Sequence, residues 1–364
     1  MTPFVHRVPG EVHFGLDASA KVPEIVARFG RRPFLVTGSR PAPFRLSDAV
    51  SWSVHVEPEI GTADEGARRC REAGCDVVVA VGGGSVLDTA KAAAALVPNG
   101  GEALDFLEGV GRGRTLEHPS LPFIAVPTTA GSGSEVTRNS VLRVPDLKVK
   151  RSLRSDFMIP RVAVIDPHLS QSCPLPVAAS AGLDALTHLI EGYVSIGAQP
   201  TTDALALRGI RLAAHGLLSL GRGKQDVESM ALASFWGGIV LANAGLGAVH
   251  GLVAPLGGRC AVPHGMGCSC LLAATMEMNI EALRARAPGS PALVRYEEIA
   301  DALKEMPELD RLRRDLGVPP LASFGLSREE IPDIIAGSRA GSMNYNPITL
   351  TDAELERILL QSLS

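Results

Sequence analysis

Along the first 166 residues, short unbroken apolar runs alternate with stretches of helical periodicity. Phe34-Leu35-Val36-Thr37 reads as a short strand ending at Gly38. Val77 to Val81 is an unbroken Val/Ala run, the pattern of a parallel strand covered on both faces. Phe123-Ile124-Ala125-Val126 is stopped by Pro127, and Val162-Ala163-Val164-Ile165 is closed by Asp166-Pro167. Ala63 to Ala73 and Ser85 to Leu96 have the spacing of helices between these strands. The alternation predicts a doubly wound α/β domain over residues 1–166.

After Pro167 strand signals nearly vanish. Helical patterns follow at Pro176 to Tyr193, Thr201 to Leu218, Val227 to Ala244 and Gly267 to Ile280. Shorter ones are predicted at Val294 to Glu305, Glu308 to Leu316, Arg328 to Ala336 and Asp352 to Leu360, the last with Thr351 as its N-cap. Residues 167–364 therefore read as an all-helical domain. Loops richer in Gly or Pro fall around Pro98 to Arg114 and Arg284 to Pro291.

Composition narrows the function classes. Aromatic residues are 4% of the chain and the net charge is −4, with both signs interspersed, so neither a base-stacking surface nor a basic stripe for nucleic acid is expected. None of the six cysteines forms a CxxC pair, and a chain of 364 residues needs no disulfide staples. Cys260, Cys268 and Cys270 read as packing residues, the alternative being thiolate ligation of a metal, which would favour zinc. The N-terminal segment shows no apolar h-region, and the apolar runs are interrupted by Gly, Ser, His or charge. A cytoplasmic protein without a membrane partner is the expectation.

Two polar loops follow predicted strands. In Val81-Gly82-Gly83-Gly84-Ser85-Val86-Leu87-Asp88, glycines let the backbone approach a phosphate, and the next helix offers free N–H groups and the positive end of its dipole. Asp88 sits near the start of that helix, where it favours the dipole and can pin the turn. Leu87 breaks the full G-x-G-x-x-G spacing, so the segment alone is equally a tight strand-to-helix turn. Pro127-Thr128-Thr129-Ala130-Gly131-Ser132-Gly133-Ser134-Glu135 is rich in hydroxyls. It lies at the carboxyl edge of the same sheet, where ligands of open α/β sheets collect; two such loops favour a dinucleotide, with capping of the next helix as the alternative.

Asp184 and His188 stand four residues apart on a helical stretch and share one face. His250 lies near the start of another helical region, and His264 is set between Pro263 and Gly265. One carboxylate and three imidazoles form a donor set for Fe(II) or Zn(II) more than for Mg(II). Spacing alone does not bring them together.

The ordered motifs are Gly82-Gly83-Gly84-Ser85-x-x-Asp88, Pro127 to Thr137, Gly182-Leu-Asp184-Ala-Leu-Thr-His188-x-x-Glu191, Val249-His250-Gly251 and Pro263-His264-Gly265. Together they resemble the iron-containing (group III) alcohol dehydrogenases, a family that includes lactaldehyde reductase-like enzymes. The resemblance runs from about Gly10 past Asn346-Pro347. It implies a dehydroquinate synthase-like fold, with an N-terminal dinucleotide-binding α/β domain and a C-terminal all-helical metal-binding domain. It also implies a homodimer, and hydride transfer between NAD(P)(H) and a small alcohol or aldehyde.

The resemblance further implies one divalent metal, Fe(II) or Zn(II), held by Asp184, His188, His250 and His264 and acting as Lewis acid on the substrate oxygen. It places Gly82, Gly83, Gly84, Ser85 and Asp88 at the pyrophosphate. Thr128, Thr129 and Ser134 fall in the loop beside the rest of the cofactor, and Lys150 at a cofactor-contacting position. Lys148, beside it, reads as part of a solvated charge run. Glu191, one turn beyond His188, either orients that imidazole or is a plain helix-face carboxylate.

Two departures from the family pattern stand out. Many relatives carry a second histidine four residues after the third ligand, as a proton relay; here that residue is Ala254. NAD-preferring relatives end the first strand with an aspartate; here Gly38, Ser39 and Arg40 take its place, which removes a carboxylate that repels a 2′-phosphate and supplies a cation to pair with one. NADPH use follows as an expectation. Alternatives are the maleylacetate reductase or phosphonoaldehyde reductase branches, and a non-redox dehydroquinate synthase-like enzyme.

Overall fold

The computed structural model describes residues 3–260 and 262–364. The chain forms two compact units: Val8–Thr129 with Gly133–Cys173, and a short stretch ending at Arg7 with Ala130–Ser132 and Pro174–Ser364.

In the first unit, strands β1 (Glu11–Phe14), β2 (Pro33–Thr37), β3 (Val50–Ser53), β4 (Val77–Gly82) and β5 (Phe123–Pro127) precede a hairpin, β6 (Asn139–Val144) and β7 (Val149–Arg154), and then β8 (Val162–Ile165). All but the hairpin join one parallel sheet in the order β1-β8-β5-β4-β2-β3. Helices α1 (Val22–Ala27), α2 (Ile60–Glu72) and α3 (Gly84–Asn99) form the crossovers.

The unbroken apolar runs are explained by burial on both faces. Val78 and Ala80 pack with Phe34, Val36, Leu87 and Ala90 on one side. Val77, Val79 and Val81 pack with Ile25, Ile124 and Val126 on the other. Pairing of Gly82 with Pro127 sets the carboxyl ends of β4 and β5 side by side.

The four strands predicted from sequence are present, and the sheet has two more. β1 and β3 are four-residue edge strands, incompletely buried, whose mixed polarity hides them. The hairpin is a third addition. Its first strand alternates, with Ser140, Leu142 and Val144 inward, and its turn places Lys148 in the left-handed region at φ 51°.

The second unit is helical: α4 (Leu175–Val194), α5 (Pro200–Gly221), α6 (Val227–Ala244), α7 (Ala248–Arg259), α8 (His264–Arg286), α9 (Pro291–Ala302), α10 (Leu309–Asp315), α11 (Ile331–Gly337) and α12 (Asp352–Gln361). α4, α5 and α6 pack along one another, and α8 lies against α4 and α7. Gly209 permits the close approach of α5 to α4, since a Cβ there would stand 2.6 Å from Leu189. α6 is long and apolar enough by length and composition to cross a membrane, yet nearly half of it is buried against its neighbours. Thr351 caps α12 as expected: its hydroxyl accepts the Glu354 N–H, and the Glu354 carboxylate accepts the Thr351 N–H.

Candidate metal centre

Three helices of the second unit bring the candidate ligands together. α4 presents Asp184 and His188 one turn apart, α7 presents His250 as its third residue, and α8 opens on His264. Asp184, His188 and His250 are buried, whereas the His264 side chain is 43% exposed.

Asp184 Oδ1 faces all three imidazoles, with Nε2 of His250 at 3.5 Å, of His188 at 3.8 Å and of His264 at 3.9 Å. Among the described residues this buried oxygen makes no hydrogen bond. Leaving a buried carboxylate oxygen unmatched is costly unless a cation completes it. Donors each about 2.1 Å from one tetrahedral ion stand about 3.4 Å apart, near the spacings found here. Asp184, His250 and His264 belong to a set of donor atoms lying within 4.8 Å of one another and fit one divalent transition metal, whereas His188 meets Asp184 Oδ1 but lies outside that set.

Electrostatics favour the metal-binding forms of Asp184 and His188, whereas at His250 burial is outweighed by Cys268, Asp184 and Glu191, which raise its pKa, so a metal there displaces a proton. Burial works against the Asp184 charge, but the imidazoles of His188, His264 and His250 outweigh it and hold the carboxyl well below the usual range. Burial lowers the His188 pKa to about 4, so its ring is neutral at neutral pH.

Glu191 acts on a different histidine from the one its sequence position indicates. Its Oε2 accepts from His250 Nδ1 at 2.6 Å, and its Oε1 accepts the Val249 N–H at 2.7 Å. One carboxylate thus fixes the His250 tautomer, leaving the Nε2 lone pair facing Asp184, and closes the first turn of α7. Replacing Glu191 by glutamine is expected to weaken metal binding by roughly 10- to 100-fold. A competition titration with a chromophoric chelator measures this.

Cys268 also enters the centre, against its reading as a packing residue. It lies one turn after His264 on α8 and is fully buried, with Sγ 3.6 Å from His250 Nε2 and 3.8 Å from His264 Nε2. Cys260 and Cys270 lie elsewhere, directed at Glu330 and at the Pro319 carbonyl. Ala254 sits one turn after His250 on α7 and is half-buried.

Of the residues predicted for the cofactor, Gly82 to Ser85, Thr128 and Thr129 lie at the carboxyl ends of β4 and β5. α3 begins at Gly84, with Gly83 as its N-cap and no side-chain cap, and Ser85 is exposed in its first turn. Gly82 is required by close approach and not by a left-handed backbone: a Cβ there would fall 2.5 Å from the Val86 Cβ. Thr128 donates its N–H to the Gly82 carbonyl, and Thr129 lies against Gly83.

Asp88 and Ser134 face inward instead. Ser134 Oγ donates to Asp88 Oδ1 at 2.5 Å, and Asp88 Oδ2 accepts the Val141 N–H at 2.8 Å. The sequence gives no hint of Lys91, which holds them: its buried ammonium donates to Ser134, Thr137 and the Asn139 carbonyl. Lys150 is paired with Glu57 at 2.9 Å. Gly38 directly follows β2, and after it come exposed Ser39 and Arg40, whose guanidinium bonds Ser172.

Residues 9–167 match the family described as iron-containing alcohol dehydrogenase, and residues 178–363 match the C-terminal domain of the Fe-containing alcohol dehydrogenase family. The chain belongs to the iron-containing alcohol dehydrogenases. Among relatives of this iron-containing alcohol dehydrogenase, Long-chain-alcohol dehydrogenase 1 of Geobacillus thermodenitrificans is 34% identical, over 95% of this chain and 93% of that protein. Lactaldehyde reductase of Escherichia coli is 36% identical, over 78% of this chain and 76% of that protein. The structure of sulfoacetaldehyde reductase from Bifidobacterium kashiwanohense in complex with NAD+ superposes with a TM-score of 0.84 at 27% identity, covering 100% of both chains.

Proposed function

We infer that this iron-containing alcohol dehydrogenase transfers a hydride between a nicotinamide cofactor and a small alcohol or aldehyde at the centre formed by Asp184, His188, His250 and His264. The observation that carries this reading is the convergence of three imidazole nitrogens on one orphaned carboxylate oxygen. A divalent ion bound there supplies Lewis acidity to the substrate oxygen.

The chain's own residues do the rest. Asp184 and the three histidines hold the ion, and Glu191 keeps His250 in the ligating tautomer. The uncapped start of α3 and the Gly82–Ser85 turn receive the cofactor pyrophosphate. Thr128 and Thr129 line the same edge. Lys91, Asp88 and Ser134 keep that edge in shape from below, a positioning role in place of direct cofactor contact. Ala254 offers no side-chain proton, so proton delivery passes through water, a cofactor hydroxyl or another side chain. Anaerobic oxidation of reduced cofactor by a panel of small aldehydes, with stripped protein reloaded with Fe(II) or Zn(II), tests this. Turnover independent of metal, or none with any aldehyde, overturns it.

The reading extends to NADPH, because Gly38 leaves no carboxylate against a 2′-phosphate and the Arg40 guanidinium, among the described residues, bonds neutral Ser172. Arg40→Ala is expected to lower kcat/KM for NADPH roughly tenfold and to leave NADH within about twofold, as loss of one charge-assisted contact requires. Paired steady-state kinetics decide this, and equal losses with both cofactors overturn it. A homodimer completes the reading: β1 is a sheet edge, and Val8, Phe14 and Leu16 around it are exposed. Light scattering coupled to size exclusion measures it.

A further inference from the structure

The centre contains a donor that the four-ligand reading does not use. The ligand atoms of Asp184, His250, His264 and Cys268 all lie within 4.8 Å of one another. We propose that Cys268 is itself a metal ligand, so that the centre of this chain is a mixed carboxylate–imidazole–thiolate site tuned toward zinc. This rests on the reading of Asp184, His250 and His264 as ligands, the three that share this four-donor set with Cys268; His188 lies outside it.

The geometry is specific. A sulfur about 2.3 Å from an ion and a nitrogen about 2.05 Å from it stand about 3.6 Å apart in a tetrahedral arrangement. Cys268 Sγ is 3.6 Å from His250 Nε2 and 3.8 Å from His264 Nε2. Position 268 follows His264 by one helical turn, so both side chains project from one face of α8 onto the same point. His250 donates from Nδ1 to Glu191, so its Nε2 presents a lone pair toward the space that Oδ1 and Sγ share. Cys260 and Cys270 are engaged elsewhere.

Binding replaces the sulfur–hydrogen bond by a metal–sulfur bond and releases one proton to solvent, with no change of oxidation state. A thiolate is a softer donor than the carboxylate and imidazoles beside it, which moves preference toward Zn(II) and away from metals favoured by oxygen donors. It also adds a second negative charge to that of Asp184, so a divalent ion is neutralised by the protein.

The test is anaerobic titration of metal-stripped full-length protein with Co(II). The expected result is visible d–d bands together with a sulfur-to-cobalt charge-transfer band in the near ultraviolet. Cys268→Ser should lose the charge-transfer band, keep the d–d bands and bind Zn(II) at least roughly tenfold more weakly. Cys270→Ser should keep all bands. X-ray absorption on zinc-loaded wild-type protein, which needs no variant to fold, should show one sulfur at about 2.3 Å. Wild-type d–d bands without charge transfer, or a zinc shell without sulfur, overturn the assignment of Cys268 and leave the metal centre standing. No uptake of Co(II) overturns both.

Discussion

Asp184→Ala should remove the bound metal and lower kcat/KM by at least about a thousandfold, or ~4 kcal/mol of transition-state stabilisation, the scale of a lost Lewis acid. Asp184 is the one donor that faces every imidazole in the centre. Without it, no carboxylate among the described residues faces the Nε2 atoms of all three histidines. Asp184→Asn is the sharper variant because it keeps the shape and removes the charge. Metal content by elemental analysis should fall with activity in both variants. Full metal retention with lost activity would instead assign Asp184 to the chemistry, apart from any ligand role.

Lys91→Met should destabilise the α/β unit by about 3–5 kcal/mol, the cost of breaking a buried charge pair by removing one partner. Lys91 is fully buried, and its ammonium serves the Ser134 and Thr137 hydroxyls and the carbonyls of Ser134, Thr137 and Asn139, with Asp88 at 4.0 Å. Burial depresses its pKa to about 8 although Asp88 and Glu135 oppose the shift, so the site tolerates the charge only through this cage. Removing it strands several acceptors and the Asp88 carboxylate. Thermal unfolding should show the loss, and the cofactor KM should rise because the 128–137 loop loses its anchor. An unchanged melting temperature would mean that the cage is dispensable.

The parts of this molecule legible in its sequence are those where burial is uniform. β4, β5 and β8 are apolar on both faces and read directly, as does α6, whose ends coincide with its apolar stretch. β1 and β3 do not, because a half-exposed edge strand of four residues has too few positions to establish a period. The candidate ligands follow the same logic. Asp184 and His188 are paired by helix geometry, but only folding sets His250 and His264 beside them. Glu191 illustrates the limit: its neighbour in sequence is His188, while its hydrogen-bond partner lies 59 residues further on. Cys268 is one turn from His264, yet that spacing has no meaning until α7 brings His250 against it.

The starts of α3 and α7 are finished in opposite ways. At α7, Glu191 and Asn346 accept the first N–H groups, so that helix end has nothing left to offer an anion. At α3 no side chain caps the helix among the described residues, and its positive end is left to solvent. Anion competition should therefore be one-sided: inorganic phosphate or sulfate would compete with the dinucleotide at α3 while leaving metal occupancy untouched.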